Sequence, residues 1–420
     1  MLTAPPRDPF ATYFLLDRDP STQEVITLAY MPHATPPAPA PRRTADRPVY
    51  VIGAGPGGLA AARSLRAAGI RAVVLERSTD IAASWRRHYE RLRLHSPRRL
   101  AALPGLRMPR RSGRRVSPGD MVRYLEKYAD HHDLEIVTGV EVDRVDRAPE
   151  DSGWLLHATG GRVLAASAVV VATGRHRTPR LPGWEGQEDF HGELLHSSGY
   201  REAAPYRDRE VLVVGAGSSG AGIAVDLAAA GADKVRLAVR TPPHLLRRSL
   251  LGVPVQRAGV LCRRLPVPLV DRLAAVLVRL SVPNLAEYGL GRPERGLATR
   301  ARQGAAPVLD PGLIRAVRKR RVEPVAAVES FDGGKVLLAD GTLLAPEVLI
   351  AATGYRPGLE ELLGHLDVLD AHGLPTARPG RSPANAPGLF FTGYTAPLGG
   401  TLREIGRETR KIAKAIRRHL

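Results

Sequence analysis

Apolar positions in this chain come in short blocks, each closed by glycines and followed by a run of small residues. Residues 49–69, VYVIGAGPGGLAAARSLRAAG, open on four apolar or aromatic positions, pass through a Gly-rich turn and continue as an Ala-rich stretch. So short a block suits a buried strand better than a helix, and the order predicts strand, tight turn, helix. Residues 210–231, EVLVVGAGSSGAGIAVDLAAAG, predict the same unit again. The repetition goes further. VEVDRVDR, GWLLHATG and GRVLAASAVVVATG follow the first unit, and VEPVAAVES, GKVLLADG and TLLAPEVLIAATG follow the second. Each set predicts a three-stranded antiparallel excursion and a closing strand that ends in Ala-Thr-Gly.

Two related α/β nucleotide domains follow from this pattern. The first occupies 47–178 and is completed by 355–420, and the second occupies 179–354. Residues 241–307, with Pro-broken apolar helices, have no counterpart in the first half and form a helical insert. After GLFFTGY, the residues Leu402, Ile405, Ile412, Ile416 and Leu420 make one helical stripe expected to pack on the core. Residues 1–46 are rich in Pro and turn formers; they cannot bury enough apolar surface to offset their ordering entropy and are expected to be a disordered extension. The stretch 190–200, FHGELLHSSGY, fits neither a helical stripe nor an alternating strand, and it lies between the two Gly-rich turns.

The turns carry the first candidate chemistry. Gly53, Gly55 and Gly58 have the GxGxxG spacing between a predicted strand and helix, with Gly57 inside the same turn. The first glycine permits the turn, the second lets backbone approach a pyrophosphate, and the third lets the helix pack on the strand, whose free amides then face the anion. Glu76 ends the next strand, AVVLE, where a carboxylate can accept from a ribose diol. The second turn has Gly215, Gly217 and Gly220 with Ser218 and Ser219 between them. Its next strand ends in Arg240 where the first ends in Glu76, and Thr241 follows. That reversal of charge favours a 2′-phosphate, hence NADPH over NADH. One site that takes hydride and one that gives it imply FAD at the first turn and a nicotinamide at the second.

Composition narrows the class without changing it. Lys and Arg number 61 against 42 Asp and Glu, a formal charge of +19. The positive residues are scattered rather than set in one stripe with interleaved aromatics, which argues against a nucleic-acid partner. The lone Cys262 can form neither an intrachain disulfide nor a redox pair. The N-terminal apolar run is short and closes on Asp17, unlike a signal peptide, and the longest apolar run, LAAVLV, is far below the ~20 residues of a membrane span. A cytoplasmic protein is expected, with homo-oligomerisation left open and no metal cluster foreseen.

FHGELLHSSGY fits FxGxxxHxxxY through Phe190, Gly192, His196 and Tyr200, and in this the chain resembles the flavin-containing monooxygenases. The related Baeyer–Villiger signature runs from an aromatic, usually Trp, into Pro, whereas Tyr200 is followed by Arg201. The resemblance spans about residues 48–415 and is strongest with the YUCCA-type branch, the indole-3-pyruvate monooxygenases, through ASWRRHYERLRLHSPRRLAALPG, AVRTPPHLLRRSLLG, VPLVDRL, APVLDPGLI, AATGY and GLFFTGYT. It implies two Rossmann-like domains for FAD and NADPH in the glutathione-reductase-like two-domain architecture. It also implies that Trp85 sits against FAD, that the segment with Thr173 is an interdomain hinge, that Gly393 serves the FAD side, and that Thr353, Gly354 and Tyr355 line the nicotinamide side. His95 stands where many of these enzymes place an Asn, as in the YUCCA type.

The implied reaction inserts one atom of O2 into a small organic substrate through a C4a-hydroperoxyflavin, which must be kept from water. The substrate is then an aryl 2-oxo acid, or a nitrogen or sulfur nucleophile if only the broader family carries over. Within that reading the connector Phe190–Tyr200 holds NADP⁺ in place, His95 is the first catalytic candidate and His196 the second. Two alternatives stay open: an FAD-dependent NAD(P)H reductase that passes electrons to a quinone or redox partner, and a nucleotide-occupied binding protein that docks an acidic partner.

Overall fold

Strand β1 (Val49–Ile52) sits in mid-sheet because its apolar side chains are covered on both faces. The glycine turn leads into α1 (Pro56–Arg66), and β2 (Ala72–Glu76) returns parallel to β1. Helix α2 (Pro118–His131) starts at a serine cap, Ser117, whose side chain accepts from the Asp120 amide. It leads to β3 (Glu135–Thr138), parallel to β2. An antiparallel excursion follows, β4 (Val142–Arg147), β5 (Trp154–Ala158) and β6 (Arg162–Ala166), before β7 (Ala168–Val171) closes against β1. The chain is a computed structural model that describes residues 47–149, 153–250, 253–262, 265–310 and 312–420. The extension expected over 1–46 lies outside the described residues.

The second half repeats this order. Strand β8 (Glu193–His196) comes first, then β9 (Glu210–Val214), helix α3 (Ser218–Ala230) and β10 (Lys234–Ala238). After 241–307 come β11 (Glu323–Val325), the antiparallel β12 (Val328–Asp332), β13 (Lys335–Leu338) and β14 (Leu343–Leu344), and the closing β15 (Val348–Ala351). With β16 (Leu389–Phe391) from the C-terminal segment, the two parallel sheets have the orders β16-β7-β1-β2-β3 and β11-β10-β9-β15-β8. These orders match strand for strand when read from the closing strand outward. The β16 strand lies beside β7 as β8 lies beside β15.

Three expectations are corrected here. FHGELLHSSGY does contain a strand, β8; it is an edge strand of four residues, too short to show an alternation. The insert 241–307 is not only helical: it carries short pairings of 245–246 with 308–309 and of 249–250 with 253–254, besides helix α4 (Val267–Ser281). In the last helix, α5 (Thr401–His419), the residues Leu402, Ile405, Ile412 and Ile416 are buried against the first core, but Leu420 is 45% exposed because it lies past the helix end.

Candidate active site

Both glycine turns are set by backbone packing. A Cβ on Gly53 would stand 2.9 Å from the Ala172 carbonyl oxygen, and one on Gly215 2.6 Å from that of Ala352, so each turn rests on the Ala-Thr-Gly of its own closing strand. Gly58 and Gly220 lie where a Cβ would come 1.8 Å from the carbonyl oxygens of Gly53 and Gly215. Gly55 and Gly217 differ: a Cβ on either would meet nothing within 4 Å. Protein packing does not require a glycine there, and the space is free for a ligand. Both are helix N-caps without a side-chain cap, so the first amides of α1 and α3 stay available to an anion. The donor set and the open cradles fit a dinucleotide pyrophosphate at each turn.

One cavity of about 1940 Å³ runs past both turns. That is about twice the ~1,000 Å³ upper end for a drug-sized ligand, which leaves room for more than one ligand. Gly53, Gly55, Gly57, Glu76, Trp85, Thr173 and Gly393 line it from the first half, and Gly215, Gly217, Ser218, Ser219, Arg240, Thr241, Thr353 and Tyr355 from the second. Glu76 accepts from the amides of Ala54 at 2.8 Å and Ser78 at 3.0 Å, one on each oxygen, and keeps further lone pairs. Trp85 packs edge-on to His88 at 5.3 Å between ring centroids. The Thr173 and Tyr394 hydroxyls meet at 2.8 Å, and burial pushes the Tyr394 hydroxyl up to about 12. The Thr353 hydroxyl donates to the Arg180 carbonyl.

His95 lines the same cavity, and its Nδ1 is buried without a hydrogen-bond partner among the described residues. Burial first, then the positive charges of Arg248 and Arg115, lowers its pKa to about 4. The imidazole is therefore neutral at physiological pH.

His196, by contrast, is held by protein. Its Nε2 pairs with the Gly354 carbonyl at 3.0 Å, its Nδ1 with the Ser198 hydroxyl at 2.9 Å, and the Tyr355 ring stands edge-on at 5.0 Å. It ties β8 to the turn after β15 and is absent from the cavity lining. The rest of the motif also packs inward. Phe190 lies edge-on to Phe331 at 5.3 Å, and a Cβ on Gly192 would meet the Phe190 ring at 2.5 Å and the Glu347 carbonyl oxygen at 2.7 Å. Tyr200 is fully buried and donates to Asp226 Oδ2 at 2.9 Å.

Asp226 and Glu408 did not stand out in the sequence. Asp226, buried on α3, also accepts from Arg91 Nη1 at 3.1 Å, and the Tyr89 ring meets that of Tyr200 at 5.8 Å. The loop 85–93 of the first half is thus tied to the second half beside the cavity. A lone acid in the apolar run AGIAVDLAAA was the available signal. Glu408, buried on α5, accepts from the Thr392 hydroxyl, the Gly393 amide and the Thr395 hydroxyl, each at 3.0 Å. It fixes the turn after β16, and nothing marks it among the other charges of an amphipathic helix.

Two parallel α/β sheets, each with an anion cradle opening into one cavity, define a protein built to hold two dinucleotides side by side. Residues 50–249 match the family model of pyridine nucleotide-disulphide oxidoreductases, although the chain's single cysteine leaves no dithiol. Indole-3-pyruvate monooxygenase YUCCA1 of Oryza sativa subsp. japonica is 35% identical over 363 residues, covering 86% of this chain and 89% of that protein. Probable indole-3-pyruvate monooxygenase YUCCA7 of Arabidopsis thaliana is 34% identical over 360 residues, with 82% of each covered. Among solved structures, a flavin-containing monooxygenase from Stenotrophomonas maltophilia superposes with a TM-score of 0.68 at 25% identity, over 88% of this chain and 98% of that one. The complex of OTEMO with FAD and NADP shares the fold, with a TM-score of 0.66 at 17% identity over 90% and 85% of the two chains. The chain belongs to the YUCCA-type branch of the flavin-containing monooxygenases. It is an NADPH-dependent flavin monooxygenase whose cofactors are FAD and NADPH.

Proposed function

We propose that the substrate is an aryl 2-oxo acid, with FAD on the first glycine turn and NADPH on the second. The observation that carries this is the 35% identity, over 86% of the chain, with a relative named for indole-3-pyruvate. The cavity suits such a molecule: Leu246, Leu273, Leu277 and Leu398 offer an apolar wall, and Arg248 a cation for a carboxylate. When bound, NADPH supplies a hydride and the flavin passes the electrons to O2, so that one oxygen atom enters the substrate and the other leaves as water. The balanced reaction is 2-oxo acid, O2, NADPH and a proton to the acid one carbon shorter, CO2, NADP⁺ and water.

The residues divide that work. The amides at the starts of α1 and α3, beside Gly55 and Gly217, bind the pyrophosphates. Glu76 accepts from the ribose of FAD, and Arg240 with Thr241 receives the 2′-phosphate of NADPH. Trp85, Thr173, Thr353 and Tyr355 line the space where the two cofactors meet, and they limit water there. His95, neutral and with Nδ1 unpartnered, holds a hydrogen bond to flavin or substrate and accepts a proton at Nδ1 only in passing. His196 positions rather than reacts: with Phe190, Gly192 and Tyr200 it fixes β8 and the turn after β15, which would hold the nicotinamide end of NADPH. On this reading 47–178 with 355–420 is the FAD domain, in the glutathione-reductase-like arrangement, and 179–354 is the NADPH domain.

The test is product stoichiometry. Flavin-loaded protein given indole-3-pyruvate or phenylpyruvate is expected to release one CO2 and one arylacetate per NADPH. NADPH oxidation stimulated only by amines or thioethers, with no CO2, would sink the oxo-acid reading. A reductase would give H2O2 or reduced quinone without oxygenated product.

A further inference from the structure

Helix α4 has two apolar faces. Val270, Leu273, Ala274 and Leu277 line the cavity, whereas Leu269, Val276 and Leu280 face outward, from 43% exposed at Leu269 to 84% at Leu280; Leu273, half exposed at the cavity rim, joins the two faces, and Leu265 just before the helix is exposed as well. At about 100° per residue, the helical positions 269, 273, 276 and 280 fall within an arc of about 60°. The arrangement is a stripe, and isolated surface leucines would not line up so. Arg272 and Arg279 run along one edge of it, exposed and without an ion pair among the described residues. The only acid on the helix, Asp271, is turned away: it accepts from the Ala298 and Thr299 amides and the Thr299 hydroxyl. Leu261, 80% exposed, and Arg257 extend the same composition onto the short helix Val255–Leu261.

We infer that this face of α4 docks on an anionic lipid surface, the leucines entering the headgroup–acyl boundary and the arginines meeting the headgroups. An amphipathic helix with a Leu-rich face and an Arg rim has the composition that lies in such an interface. No helix among the described residues is long and apolar enough to cross a membrane, so the contact is peripheral. A second copy is a poorer occupant, because a two-fold pairing of this face would set the same cationic rim against itself. The inference does not depend on which substrate is oxidised.

The experiment is co-sedimentation of the full-length, flavin-loaded protein with vesicles of phosphatidylcholine alone and of phosphatidylcholine with about one-third phosphatidylglycerol. Wild type is expected to bind the anionic vesicles and to be released in part by salt. The variant Leu269→Gln, Val276→Gln, Leu280→Gln keeps every charge and touches no cavity-lining residue. It is expected to bind at least about tenfold more weakly, with FAD content and vesicle-free NADPH oxidation as in wild type. Arg272→Gln with Arg279→Gln is expected to weaken binding to anionic vesicles only. Absence of wild-type binding overturns the inference. So does binding that the leucine variant retains, which would place the contact elsewhere on this basic chain. A solution dimer that the leucine variant dissociates, without vesicle binding, would assign the face to a second copy instead.

Discussion

Gly217 and Gly220 stand three residues apart in the second turn, and alanine at each position tests a different requirement. At Gly220 the new methyl would lie 1.8 Å from the Gly215 carbonyl oxygen and 3.0 Å from its carbon, backbone atoms that cannot step aside. Helix α3 would have to lift from its strand, at a cost at or above the ~3 kcal/mol end of overpacking. At Gly217 the backbone has φ −72° and ψ −175°, open to any residue, and the methyl of an alanine there would meet no atom within 4 Å. Alanine at this position restricts the unfolded chain, which favours folding by about 0.4–1 kcal/mol, but it is a poorer N-cap for α3 than glycine by a similar amount, so the two effects nearly offset. The methyl does fill the space through which the backbone meets a pyrophosphate. If that crowding costs the ~1–3 kcal/mol typical of overpacking, NADP⁺ binding weakens between about fivefold and about 150-fold. Titration calorimetry with NADP⁺ on flavin-loaded protein, beside thermal unfolding, reads both effects. Gly217→Ala is expected to melt close to wild type, keep its FAD and lose NADP⁺ affinity, and Gly55→Ala to lose FAD instead. A Gly217→Ala protein that binds NADP⁺ with wild-type affinity would refute the assignment of that turn.

Tyr200→Phe keeps the packing against Tyr89 and Tyr206 and removes one hydrogen bond to the buried Asp226 carboxylate. Such a bond to a charged group is worth about 1.5–3 kcal/mol, so the melting temperature should fall and H2O2 released per NADPH should rise; no change in either would count against the tie. Glu408→Ala strips three donors of their acceptor and should cost more than about 2 kcal/mol and most of the bound flavin. Glu408→Gln can keep one oxygen on Gly393 and should lose much less, so equal losses in the two variants would dismiss this role. Because the folded-state pKa of His95 lies near 4, below the ordinary 6.5, its contribution to stability is complete above about pH 6.5 and disappears as pH falls towards 4. His95→Asn should flatten that part of the stability curve, and activity should show no His95 limb between about pH 5 and 8; a limb near pH 6.5 that the variant abolishes would show the imidazole to be less perturbed.

What could be read from the sequence and what could not divide along a physical line. The turns were legible because their glycines answer to backbone sterics at fixed spacing: Gly53 and Gly58 are forced by neighbouring carbonyls, and Gly55 is left for a ligand. The excursions were legible because each strand pairs with its neighbour in the chain. The FxGxxxHxxxY stretch was visible as a motif but not as a strand, since its hydrogen bonds go to a strand more than 150 residues away: Leu195 lies opposite Ile350 and His196 opposite Ala351. Asp226 and Glu408 were hidden for a different reason: their partners, Tyr200 and Arg91 in one case and the turn 392–395 in the other, lie on other elements at no spacing that a motif or period marks. The placement of β8 gives the motif its meaning. It is the second-half counterpart of β16, and both edge strands lead directly into residues that hold the cavity: β16 into the Gly393 turn under Glu408, and β8 into His196 and Tyr200. Each sheet is therefore closed by a strand drawn from beyond its own β-α-β unit. A slip of β16 by one residue would turn its buried side chains to the other face, and a slip of β8 would break the His196 bond to Gly354; each would move the cavity wall with it.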